Sequence, residues 1–134
     1  MAGELQFDLV SPERRLASVP ATEVQIPAVA GDMTAMAGHV PTITTLRAGL
    51  LRAATTAGVK SYVVTGGFAE VTATGVTVLA ERAIPVEEAT GTILDDILAE
   101  AKSLAAAALP GDKDLAEKNV ADVIALRDAV LTGR

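Results

Sequence analysis

At Pro85 the spacing of apolar residues changes, and no single layer of secondary structure satisfies both sides of the change. Before it, short β-branched runs are punctuated by Gly and Pro at roughly eight to twelve residue intervals, the mark of strands. After it, apolar residues recur at three and four, the mark of amphipathic helices. Charge shifts at the same place. Residues 1–86 carry 7 acids and 6 bases, a net of −1, and residues 87–134 carry 10 acids and 5 bases, a net of −5; together they make the chain's −6. Two domains with different jobs are expected: an all-β sandwich over residues 1–86 and an antiparallel α-helical hairpin over residues 87–134.

In the first part, Leu5–Val10 alternates apolar Leu5, Phe7 and Leu9 against Gln6 and Asp8, the period of a half-buried strand. Ser11-Pro12-Glu13 ends it. Residues 15–19 and 23–29 read as two more strands, the second with Val24 and Ile26 on one face. Pro27 limits its end to an edge or a bulge. Residues 30–41 read as an apolar loop, and residues 45–54 as one or two strands interrupted at Gly49. Residues 59–65 and 68–73 flank Gly66-Gly67, which reads as a two-residue hairpin turn needing positive φ. Thr74-Gly75 turns the chain into residues 76–81, where Val76, Val78 and Ala80 share a face. Such spacing predicts a sandwich or a barrel. With only Phe7, Tyr62 and Phe68 as aromatics, its core must be aliphatic.

In the second part, Ile93, Ile97, Leu98, Ala101, Leu104 and Ala108 form one stripe. Thr92 and Asp95 have the spacing of a capping box, which places the helix start near Thr92. A start near Val86 is the alternative, and it leaves Gly91 inside the helix at a cost of about 1 kcal/mol. Pro110-Gly111 ends this helix. Asp112 or Asp114 caps a second, with Leu115, Val120, Val123, Ile124, Val130 and Leu131 as its stripe and Gly133 at its end. A pair of helices joined by so few residues packs antiparallel, and the small side chains of residues 105–108 allow close approach. Helices of about 17 residues are near the lower limit for stability alone in water, so the acidic pair either docks on the sandwich or lifts away.

The search for chemistry is mostly negative. There is no cysteine and one histidine, His39, which excludes disulfides, thiolate nucleophiles and the usual zinc or iron ligand sets. No Gly-x-Gly-x-x-Gly or Walker-type loop occurs. Asp8, Glu13, Glu23, Asp32, Glu70 and Glu81 show no paired spacing. Asp95-Asp96 point apart on a helix and read as an acidic first turn favoured by the helix dipole. His39 reads as a loop residue whose ring nitrogens meet neighbouring carbonyls. Met33 and Met36 are either tucked into the core or presented as adaptable contacts. No catalytic residue, metal or cofactor is expected. An acidic chain without a basic stripe does not suit nucleic acid. No apolar run reaches the roughly 20 residues of a membrane span, and Met1-Ala2-Gly3-Glu4 has none of the features of a signal peptide.

Several segments together carry a resemblance. They are Val10-Ser11-Pro12-Glu13, Glu23-Val24-Gln25-Ile26-Pro27, Gly31-Asp32-Met33-Thr34 leading to Gly38-His39-Val40-Pro41-Thr42, Leu46-Arg47-Ala48-Gly49-Leu50, Gly66-Gly67-Phe68-Ala69-Glu70-Val71 and Val76-Thr77-Val78-Leu79-Ala80-Glu81. In order and spacing over residues 5–84 they closely resemble the epsilon-subunit family of F-type ATP synthase, whose mitochondrial counterpart is called delta. The resemblance implies a sandwich of about ten strands followed by a helical hairpin. It also implies a non-catalytic rotor part of the central stalk, coupling the gamma subunit to the c-subunit ring. Such a part lies at the cytoplasmic face of the bacterial inner membrane, held there only through the complex. The competing reading is a free-standing β-sandwich that binds a ligand or peptide, for which exposed aromatics would be expected.

Residue by residue, Gly31, Asp32, Met33 and Thr34 match the family segment that contacts the polar loops of the c ring. Asp32 stands where the family has an acid able to pair with a basic ring side chain, and Met33 would add apolar contact. Thr34 replaces a further family Gly. His39, with Pro41 beside it, matches the region near the gamma and ring interface. Some family members bind ATP in the hairpin through Ile or Leu, Asp, two free positions, Arg and Ala. Here Leu94, Asp95, Leu98 and Ala99 occupy those places. Leu98 removes the guanidinium suited to phosphate, so no nucleotide binding is expected. In some members the extended hairpin inserts into the head formed by the alpha and beta subunits, where its basic residues meet an acidic segment of beta, and inhibits hydrolysis. Here the only bases after residue 86 are Lys102, Lys113, Lys118, Arg127 and Arg134. Like charges would oppose insertion, and a poor inhibitor is expected.

Overall fold

A computed structural model describes residues 3–133. Met1, Ala2 and Arg134 lie outside the described residues, and with them half of the Met1-Ala2-Gly3-Glu4 start and the last of the five bases. The chain divides into two compact units, Met1–Pro85 and Val86–Arg134.

The first unit holds eight strands: β1 (Leu5–Val10), β2 (Arg15–Ala21), β3 (Glu23–Ala28), β4 (Gly31–Met36), β5 (Thr42–Thr45), β6 (Gly49–Thr55), β7 (Gly58–Val71) and β8 (Gly75–Pro85). They form one mixed sheet in the order β2-β1-β8-β7-β6-β3-β4, with β5 paired to the far end of β7. All pairs are antiparallel except β1 with β8. Strands from both ends of this order share one core. Leu5, Phe7 and Leu9 of β1 meet Val24 and Ile26 of β3, Ala35 of β4 and Leu51 of β6. The sheet therefore folds over on itself into two layers. Phe7 and Tyr62 are its buried aromatics, tilted, with ring centroids 6.3 Å apart. The alternations read for β1, for Val24 and Ile26, and for Val76, Val78 and Ala80 all point inward as expected.

The sheet holds eight strands where the resemblance implies about ten, and one predicted break, at Gly66-Gly67 within β7, does not occur. Gly66-Gly67 is not a hairpin turn. β7 runs through it for 14 residues, and both glycines have positive φ, +64° and +95°. Before them Tyr62 and Val64 enter the core; after them Ala69 and Val71 do. The inward face thus changes parity, and β8 changes with it, from Val76, Val78 and Ala80 to Ala83. Pairing continues across the change, Thr65 opposite Arg82 and Gly67 opposite Ala80. The glycines let one strand pair turn from one layer into the other. A Cβ on Gly67 would stand 2.0 Å from the Leu79 carbonyl oxygen, so only glycine fits against β8 there.

The apolar "loop" of residues 30–41 is in large part a strand. β4 pairs with β3 from Glu23↔Met36 to Ala28↔Gly31. Its alternation is weak because it is an edge strand with only Ala35 fully buried. Pro27 behaves as expected: β6 pairs only with Glu23, Val24 and Gln25, so Pro27 lies past the reach of that ladder.

In the second unit, α1 spans Gly91–Ala107 and α2 spans Lys113–Thr132, with short 3-10 turns at Val86–Glu88 and Pro110–Asp112. The cap of α1 is Thr90, whose hydroxyl accepts from the Ile93 N–H at 3.2 Å, and not Thr92. Asp112 sits at the N-cap of α2 without a side-chain capping bond. The helices are antiparallel. Asp95 near the start of α1 pairs with Arg127 late in α2 at 3.0 Å, and Lys113 Nζ donates to the Ala105 carbonyl at 3.0 Å. The buried stripe of α1 is Leu94, Ile97, Leu98, Ala101 and Ala105, and that of α2 is Val123, Leu126 and Val130. Leu104, Leu115, Ile124 and Leu131 of the expected stripes are exposed.

Candidate binding surfaces

The β3–β4 turn is built by the segment that precedes β6. Val29 N–H donates to the Thr45 carbonyl and Arg47 N–H to the Pro27 carbonyl, each at 2.9 Å. Gly49 carries no side chain because a Cβ there would lie 2.7 Å from that of Pro27. From this close backing, Arg47 reaches back over the turn. Its Nη1 donates to the Ala28 carbonyl at 2.6 Å, and its Nη2 makes a close ion pair with Asp32 Oδ1. Gly31, at φ +134°, supplies the turn's unusual backbone. Asp32 is three-quarters exposed and Arg47 one-quarter exposed. Val29 and Ala30 form an exposed tip, while Met33 packs partly against the core. Thr34 is exposed on the edge strand.

His39 and Pro41 are not beside that turn. β4 separates them, since its five steps of about 3.4 Å put roughly 17 Å between Gly31 and Met36. His39 follows in a turn closed by its N–H to the Met36 carbonyl, and Gly38 N–H donates to Ala73, tying this loop to the β7–β8 turn. His39 Nδ1 donates to the Val40 carbonyl at 2.6 Å, the local satisfaction its sequence context predicts. Around it Met36, Val40 and Ile43 are exposed. The two methionines thus divide, Met33 inward and Met36 outward.

A third surface was not foreseen. Phe68 of β7 and Leu79 of β8 are direct cross-strand partners, yet they are 48% and 41% exposed. They line an open groove of about 600 Å³ together with Val10, Pro12, Thr45 and Glu81. Isolated exposed apolar residues are ordinary; here an aromatic and a leucine are exposed side by side in one groove, which makes it a candidate contact surface. On the helices, Leu94 and Leu98 are buried, Asp95 is paired with Arg127, and Ala99 is exposed. Arg47, Val29 and Phe68 were missed as site residues. Arg47 lies 15 positions from Asp32, a separation that means nothing until β3 and β4 form their hairpin.

Among the described residues no three His, Cys, Asp or Glu side chains gather to hold a metal. The features that stand out are a braced turn and exposed apolar faces on a rigid sheet, with a helix pair attached. These define the class as a two-unit protein, a mixed β-sheet domain followed by a pair of helices. Residues 4–86 match the family model for the ATP synthase delta/epsilon chain β-sandwich domain. The ATP synthase epsilon chain of Cereibacter sphaeroides is 65% identical over 127 residues, 95% of this chain and 96% of the relative. A chain in the structure of the Euglena gracilis mitochondrial ATP synthase matches with a TM-score of 0.73 at 25% identity, covering 98% of this chain and 83% of that one. A chain in the Tetrahymena thermophila mitochondrial ATP synthase, at 17% identity and a TM-score of 0.55, covers 65% of this chain and 70% of its own, and bears on the fold alone. The chain belongs to the ATP synthase delta/epsilon family, a family of non-catalytic subunits.

Proposed function

We propose that this chain is a central-stalk subunit of a proton-translocating F-type ATP synthase, coupling the gamma subunit to the c ring. Residues 1–86 act as the domain that binds both, and residues 87–134 as a separate helical hairpin domain. Gly31, Asp32, Met33 and Thr34 face the polar loops of the ring, and His39 and Pro41 lie at the interface of gamma and the ring. The subunit sits at the cytoplasmic face of the inner membrane through the complex; none of its described helices is long and apolar enough to cross a membrane. The hairpin binds no ATP and is a poor brake on hydrolysis.

The observation that carries this reading is the Phe68–Leu79 pair, left exposed in register on a sheet whose close-packed interior resists shear. A coupling part needs such a stiff body with adhesive faces. Family membership and the structural match to a mitochondrial ATP synthase chain support it. The test is co-purification with the gamma subunit. The native chain is expected to form a stable complex, and the Phe68→Glu and Leu79→Glu variants to lose it while keeping their fold. No complex with the native chain would favour a free-standing binding module instead.

A further inference from the structure

We infer that Arg47 is the positioning residue of the β3–β4 turn, holding Asp32 so that one carboxylate oxygen is engaged within the chain and the other is offered to a cationic side chain of the partner. The inference rests on the reading of this turn as the ring-facing contact.

The geometry comes from three convergent contacts. The Arg47 main chain is fixed by its bond to the Pro27 carbonyl. One guanidinium nitrogen holds the Ala28 carbonyl at 2.6 Å, and a second nitrogen takes Asp32 Oδ1. Ala28 and Asp32 stand on opposite strands of the turn, so the one planar fork ties both sides together. A guanidinium suits this because its donors are fixed in a plane, whereas an ammonium is a single flexible point. Asp32 Oδ2 has no hydrogen bond among the described residues, and the side chain is 75% exposed.

Two consequences follow. An exposed ion pair of this kind adds little to stability, so its main effect is on orientation. A carboxylate that is already pinned loses little freedom when it meets a partner, which lowers the cost of binding. With Oδ1 engaged by Arg47, Oδ2 is the oxygen most open to the partner's cation.

The assembled complex distinguishes positioning from plain structure. The readouts are proton pumping per ATP hydrolysed and the thermal unfolding of the isolated chain. Asp32→Ala and Arg47→Ala are both expected to lower pumping at an unchanged hydrolysis rate, and Arg47→Lys to restore part of it. The exchange Asp32→Arg with Arg47→Asp rebuilds an ion pair but offers the partner a cation. It is expected to leave pumping impaired. Full recovery of pumping by the exchange would make the pair structural only and overturn the inference. So would native pumping in Arg47→Ala when Asp32→Ala is impaired. Native pumping in Asp32→Ala would remove the turn from the ring contact, and the inference with it.

Discussion

Gly67 sits where the β7–β8 pairing admits no side chain. Its φ of +95° and the 2.0 Å approach of a notional Cβ to the Leu79 carbonyl leave no room for alanine. Gly67→Ala is expected to lower stability by roughly 2–4 kcal/mol, from backbone strain and overlap together. Gly111→Ala is the control, since nothing lies within 4 Å of a Cβ there. Urea unfolding of the two variants checks this, and equal midpoints would refute it. The need for positive φ at Gly66-Gly67 was legible in the sequence; the outcome was not. Alternating runs on each side look the same whether the chain reverses or bends and carries on. What decides is the location of the partner strand, here β8 running opposite the whole of β7. The Asp32–Arg47 pair was hidden for the same reason, since long-range pairing is set by topology and not by spacing.

At the scale of elements, β1, β3 and the start of β8 were legible because one face of each is buried and the other wet. β4 was not, because an edge strand with a single fully buried residue keeps little alternation. The helices were legible as helices, with the stripe of α1 misplaced at Ile93 and Leu104 in favour of Leu94 and Ala105. A small buried residue such as Ala105 gives no signal that it outranks a leucine one position earlier. The nucleotide motif is also an element-scale matter, since its positions sit on α1. Leu98 is buried where a phosphate-binding guanidinium would be needed, and the Asp95 carboxylate is taken up by Arg127. Calorimetric titration of the subunit with ATP is therefore expected to give no binding heat. A clear isotherm at sub-millimolar affinity would contradict it.

For the whole molecule, the uneven charge bears on whether the hairpin can act on a catalytic head. Net charge alone, −5 after residue 86, argues against insertion beside an acidic segment. The local pairing sharpens this. Arg127 is committed to Asp95 and Lys118 to Asp122, each at 3.0 Å, while Lys113 is held by the Ala105 carbonyl. Of the bases whose positions are described, only Lys102 remains outside these contacts. An inserting hairpin would have to break its own pairs to offer cations, and the acids left behind would be repelled. Exposed leucines such as Leu104 and Leu115 give it apolar surface, but apolar surface alone does not overcome a like-charged partner at close range. Deleting residues 87–134 from the assembled enzyme is therefore expected to leave the ATP hydrolysis rate unchanged. Proton pumping should persist, because the braced turn and the Phe68–Leu79 groove lie wholly within the first unit. A severalfold rise in hydrolysis on deletion would mean that the hairpin does restrain the enzyme and that its acidity is outweighed by contacts made elsewhere.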